Sequence, residues 1–142
     1  MNIFDYEGDG SEDEVTLYSL SSEYLEAAKT LDSVPPTKVN YGIVTFYLLG
    51  HAAELSLKSY LFKKSLSVQD LRKVGHDLDS LLSKASELGL KSFSSIRDLS
   101  PIYKSKKLEF RQRSRETFPA VDSLIEEISE LHSIVFDHIC GF

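Results

Sequence analysis

The chain has 142 residues, a size that fits one ordinary domain, and 42% of them are hydrophobic, enough to fill one core. Its formal charge is −6 and its only cysteine is Cys140, so an internal disulfide is excluded and a reducing, cytoplasmic setting is expected. The opening residues hold neither a basic n-region nor an apolar run, and the longest apolar stretch, 43–62, is interrupted by His51, Glu54 and Lys58, so neither a secretory leader nor a membrane span is expected.

The acidity is local. Asp5, Glu7, Asp9, Glu12, Asp13 and Glu14 lie within the first stretch, and taking these six from 22 acids leaves 16 against 16 bases. With Gly8 and Gly10 among them, residues 1–10 read as an acidic flexible tail, and 11–142 as a single domain. A first helix is expected from about Ser11 to Leu31, with Ser11 and Glu14 as a capping box and Val15, Leu17, Leu20, Tyr24, Ala28 and Leu31 on its inner face. Pro35 and Pro36 stop it.

The second helix, from about Thr37 to Lys64, is apolar around most of its girth. At about 100° per residue, Tyr47, Glu54 and Lys58 fall within about 60° of His51. Val44, Leu48, Leu55 and Phe62 flank this stripe on one edge, and Ile43, Leu57 and Leu61 on the other. Such a helix requires neighbours on all sides, from a bundle and from a second copy of the chain.

A connector follows, with a short helical turn at 68–73. Asp77 then caps a third helix carrying Leu78, Leu81, Leu82, Ala85 and Leu88, which Gly89 ends. Between Lys91 and Phe118 the apolar spacing is irregular, and Ser100-Pro101 is expected to break any continuous helix. A last helix opens at Phe118-Pro119, with Pro119 in its first turn and a stripe of Val121, Leu124, Ile125, Ile128, Leu131, Val135 and Ile139. No stretch alternates with period two, so the fold class is all-α, a four- to five-helix bundle.

Three constellations can carry chemistry. Tyr47, His51, Glu54 and Lys58 form a stripe that is an exposed charge pair with a histidine beside it, a buried polar patch that fixes packing, a ligand contact or, least of all because no second Glu-x-x-His copy faces it, a metal site. His76, just before the third helix, can bond a carbonyl, contact an anion or meet that stripe. Lys104, Lys106, Lys107, Arg111, Arg113 and Arg115 put six bases against one acid, Glu109, and can grip phosphates or serve as a solvated connector. Glycine-rich phosphate loops, Cys-x-x-Cys, His-Glu-x-x-His and Gly-x-Ser-x-Gly are absent, so no cofactor and no metal is expected.

The run Leu48-Leu49-Gly50-His51-Ala52-Ala53-Glu54-Leu55-Ser56-Leu57-Lys58-Ser59-Tyr60-Leu61 resembles the helix signature of HEPN-like proteins. Gly75-His76-Asp77-Leu78 resembles their second signature, and Leu108-Glu109-Phe110-Arg111 followed by Phe118-Pro119 their C-terminal pattern; together these cover roughly 37–130. The resemblance implies an up-and-down bundle that commonly forms a homodimer. It also implies a ribonuclease, or a partner of a nucleotidyltransferase, in toxin–antitoxin or phage-defence systems. Ribonucleases of this group use Arg, four to six residues, then His. Here no histidine follows Arg111 as far as Phe118, Arg72 and His76 are too close, and Arg115 and His132 too far apart.

The reading is therefore a non-catalytic module that binds a nucleotide, RNA or a protein partner. Arg111, Arg113 and Arg115 would contact phosphate, while His51, Glu54, Lys58 and His76 would brace the bundle or line a pocket. The alternatives are a metal-independent ribonuclease with an atypical site of His76 and Arg111, and a purely structural, antitoxin-like interaction subunit.

Overall fold

A computed structural model of the chain describes residues 13–34, 42–104 and 118–141. Among them the regular structure is entirely helical: α1 Glu14–Ser33, α2 Gly42–Lys63, α3 Val68–Val74, α4 Leu78–Glu87, α5 Ser94–Lys104 and α6 Val121–Cys140. The acidic tail, the Pro35-Pro36 stop and the segment carrying Arg111, Arg113 and Arg115 lie outside the described residues.

Helix α1 starts at Glu14 because Asp13 caps it, its carboxylate accepting from the Thr16 amide at 2.7 Å. Ser11, the expected cap, is outside the described residues. The buried face is Leu17, Ser21, Leu25 and Ala28, which packs on α2 and α6. Val15, expected on that face, is 53% exposed, because the true stripe follows the i, i+4 series from Leu17 and puts Val15 on the opposite side.

Helix α2 packs against each of the other five helices. Every residue from Ala52 to Leu61 is buried, including Glu54, Ser56, Lys58 and Ser59. The expected enclosure is thus met inside one chain over this stretch, without a second copy. Exposed apolar residues remain at the start of the helix, Ile43 and Val44.

The connector holds a real short helix, α3. Ser67 and Asp70 form a reciprocal capping box, and Gly75 ends the helix with φ +64°, a conformation that suits a residue without a Cβ. Asp77 then caps α4 as expected, accepting from the Ser80 amide at 3.2 Å. Leu78, Leu81, Leu82 and Ala85 of α4 are buried.

Helix α5 corrects one expectation: it runs straight through Ser100-Pro101. The ring removes the amide that would bond the Arg97 carbonyl, yet Pro101 is exposed, so that carbonyl sits on the outer side of the helix. The opposite face buries Ile96, Leu99, Ile102 and Tyr103, and this burial outweighs the missing bond. The start of α5 is held by another helix: the Glu127 carboxylate of α6 accepts from the Ser95 amide at 2.9 and 3.0 Å and from the Ile96 amide at 3.1 Å. Helix α6 begins at Val121, so Pro119 precedes it rather than entering its first turn. Its buried stripe is Leu124, Ile128, Leu131, His132 and Val135, and Cys140 at its end is exposed, not packed. Among the described residues no helix is long and apolar enough to cross a membrane.

Candidate functional site

The geometry of the site follows from α2 being both central and polar on one stripe. Glu54 is fully buried, and Lys58, one turn later, is 1% exposed. Their 3.2 Å contact is therefore a buried ion pair, and the exposed-pair reading is overturned: α4 and α5 pack where that reading required solvent.

Both oxygens of Glu54 are engaged. Oε2 accepts from Lys58 Nζ; Oε1 accepts from His76 Nδ1 at 2.6 Å and from the Tyr103 hydroxyl at 3.0 Å. One carboxylate thus joins α2, the turn between α3 and α4, and α5. Burial alone would raise the Glu54 carboxyl. The His76 hydrogen bond and the positive charge of Lys58, with smaller contributions from His76 and His51, outweigh it and hold the group below the usual glutamate range. An ionised carboxylate has only acceptors, so the hydrogen on this bond belongs to His76 Nδ1. Tyr103 is pushed far above the ordinary tyrosine range, first by burial and then by the adjacent carboxylate, and stays a donor.

His76 is the exposed member: its side chain is 40% accessible, whereas its partner Glu54 is at 0%. The adjoining Asp77 lines two surface grooves. One, of about 590 Å³, lies between α3 and α4 along Lys73, Val74 and Lys84. The other, of about 370 Å³, runs along Arg97 and Lys104. Lys104 pairs with Asp77 at 3.2 Å and Arg97 with Asp79 at 2.8 Å, so both cations are held at this rim.

His51 lies one turn before Glu54 and is surrounded by rings. It stacks on Tyr24 of α1 with centroids 5.0 Å apart and planes 17° apart. Tyr47 meets it edge-on at 4.4 Å and Tyr103 at 5.5 Å and 90°. Gly50 makes room for this cluster: a Cβ there would stand 2.3 Å from Tyr103 Cδ1. An absent side chain on a bulky helix is the sequence signal that marks the arrival of Tyr103.

Four of the expected site residues, His51, Glu54, Lys58 and His76, therefore meet in one cluster. Arg111, Arg113 and Arg115 lie outside the described residues. Tyr103 and Tyr24 belong to the cluster and were not singled out for it from sequence. A second polar centre was missed altogether. His132 of α6 is 7% exposed and its Nε2 lies 2.6 Å from Ser21 Oγ, which in turn donates to the Ala52 carbonyl at 2.6 Å. Because the serine hydrogen is used on that carbonyl, His132 Nε2 carries its own hydrogen and donates. Burial, with Lys29 adding to it, depresses this histidine to about 4. It is a neutral pin between α1, α2 and α6. Among the described residues no group of histidine, cysteine and carboxylate side chains could hold a metal ion.

Compared with known proteins, the chain matches no family model, no curated protein and no solved structure.

Proposed function

We propose that this chain is a HEPN-like up-and-down helical module, cytoplasmic and homodimeric, that binds RNA through its phosphates and bases without cutting it. One observation carries the reading. The two short runs that resemble HEPN-like signatures meet in the 2.6 Å bond between Glu54 and His76, residues 22 positions apart in the sequence. That bond places an imidazole, fixed by a buried carboxylate, at a surface rim that also holds Lys104 and Arg97. Beyond Lys104 the sequence continues into Lys106 and Lys107, compact cations, and Arg111, Arg113 and Arg115, a source of forked phosphate donors. A toxin–antitoxin or defence setting, with a nucleotidyltransferase as companion, goes with the same resemblance.

The test is binding of fluorescent single-stranded RNA across a salt series. Affinity should fall steeply as salt rises, and replacing Arg111, Arg113 and Arg115 together by alanine should flatten the log–log slope by about 2. Absence of binding at low salt refutes the proposal. A second reading, a ribonuclease, draws on the His76–Glu54 dyad, because a histidine oriented by a carboxylate is a competent general base. RNA cleavage that disappears in His76→Ala would replace the first reading with the second.

A further inference from the structure

We propose that His76 is a phosphoryl-acceptor site: its Nε2 takes a phosphoryl group from a donor of the phosphoramidate class, with Glu54 as the positioning residue. The His76 side chain is 40% accessible, while the carboxylate it bonds is fully enclosed. The Nδ1 edge of the ring is therefore turned inward, 2.6 Å from Glu54 Oε1, and the exposed part is the opposite edge, which carries Nε2. Glu54 stays ionised despite its burial, because the His76 hydrogen bond and Lys58 outweigh it. An ionised carboxylate has no hydrogen to give, so the hydrogen stays on Nδ1, and in the neutral ring the nucleophilic lone pair is on Nε2. Tyr103 meets this ring with planes 88° apart and is itself bonded to Glu54, so two neighbours set the orientation. The other three histidines are placed differently. His132 spends Nε2 on Ser21 in the core, Nε2 of His138 is buried, and His51 is packed among Tyr24, Tyr47 and Tyr103.

The step balances with the donor alone. The Nε2 lone pair forms the new N–P bond as the P–N bond of phosphoramidate breaks, and ammonia leaves with the electron pair of that bond. Both ring nitrogens are then substituted, so the ring becomes cationic, and its hydrogen bond to the Glu54 carboxylate becomes an ion pair. Charge thus develops where a buried, already ionised partner waits for it. The phosphoryl group itself stands just before Asp77, the cap of α4, near the positive end of that helix. The Asp77 carboxylate is occupied by the Ser80 amide, the Ser100 hydroxyl and Lys104, which lessens its repulsion of the incoming group. No RNA takes part, so the site stands apart from the binding and cleavage readings above.

The probe is potassium phosphoramidate, added to the full chain at neutral pH and followed by intact mass and phosphorus NMR. One phosphoryl group should enter the native protein first, on His76 Nε2. It should enter about tenfold faster than it enters His76 of the urea-unfolded chain, where Glu54 no longer stands beside the ring. In urea all four histidines should be labelled at similar rates. His76→Gln should abolish the fast label. Glu54→Gln combined with Lys58→Met leaves no buried charge unpaired and should lower the His76 rate to that of the unfolded chain. Labelling of His76 no faster in the native protein than in urea, a label on Nδ1, or a first label on another histidine overturns the proposal and leaves the RNA reading as it stands. The native and unfolded rates are both read on the unaltered sequence, so this outcome does not depend on how either variant folds.

Discussion

Replacing His132 by glutamine should flatten the acid side of the stability curve. In the native protein this imidazole is neutral, donates from Nε2 to Ser21, and is held at about 4 by burial and by Lys29. In the unfolded chain the same group titrates near its ordinary value of 6.5. As pH falls below that value, the unfolded chain takes up a proton that the native state refuses, so stability drops. The loss continues until the native group protonates as well, near 4, and then stops. Over this window a single histidine depressed from 6.5 to about 4 removes about 3 kcal/mol. The glutamine amide nitrogen reaches the position of Nε2 and keeps the donor to Ser21, but it does not titrate. Urea unfolding at a series of pH values therefore separates the two proteins. Near neutrality they should differ by about 1 kcal/mol, mostly from lost ring packing on Tyr18. Between 6.5 and 4 the unaltered protein should lose about 3 kcal/mol more than the variant. Parallel curves through that window would refute the burial of a neutral imidazole between α1, α2 and α6.

Three further substitutions probe the rest of the fold. Glu54→Ala strands the buried Lys58 ammonium and removes the acceptor of both His76 and Tyr103; chemical denaturation should show a loss of about 3–5 kcal/mol. Gly50→Ala improves helix propensity, but its Cβ meets the Tyr103 ring, so the thermal midpoint should fall by an amount equivalent to about 1–3 kcal/mol. Adding Tyr103→Ala to that variant should cost less than it does in the unaltered background, since the clash is then already gone. Glu127→Ala leaves the first amides of α5 without their carboxylate and should destabilise by about 1–2 kcal/mol, with the loss largest at low salt, as read from urea midpoints.

Where apolar residues repeat every three or four positions, the helices stood out in the sequence. The stripe of α6 and the girth of α2 carried that signal, and α4 was bracketed by Asp77 and Gly89. Helix α5 was hidden because Pro101 is a local penalty, whereas the burial of Ile96, Leu99, Ile102 and Tyr103 that offsets it is a tertiary effect. The meeting of His76 with Glu54 was open to expectation because both lie in short recognisable runs. The Ser21–His132 pin was not: each residue looks like a lapse in an apolar stripe until two helices bring them face to face. The same holds for Tyr103, whose partner in sequence terms is the absence of a side chain at Gly50.

The stretch from Ala52 to Leu61, enclosed on every side, also sets a clock. Its amides lie beneath all the neighbouring helices, so fraying of any one of them uncovers only part of it. Deuterium should enter this segment at the rate of whole-molecule opening, later than it enters the exposed start of α2 near Ile43 and Val44. A helix that no single neighbour can release makes the domain behave as one cooperative unit.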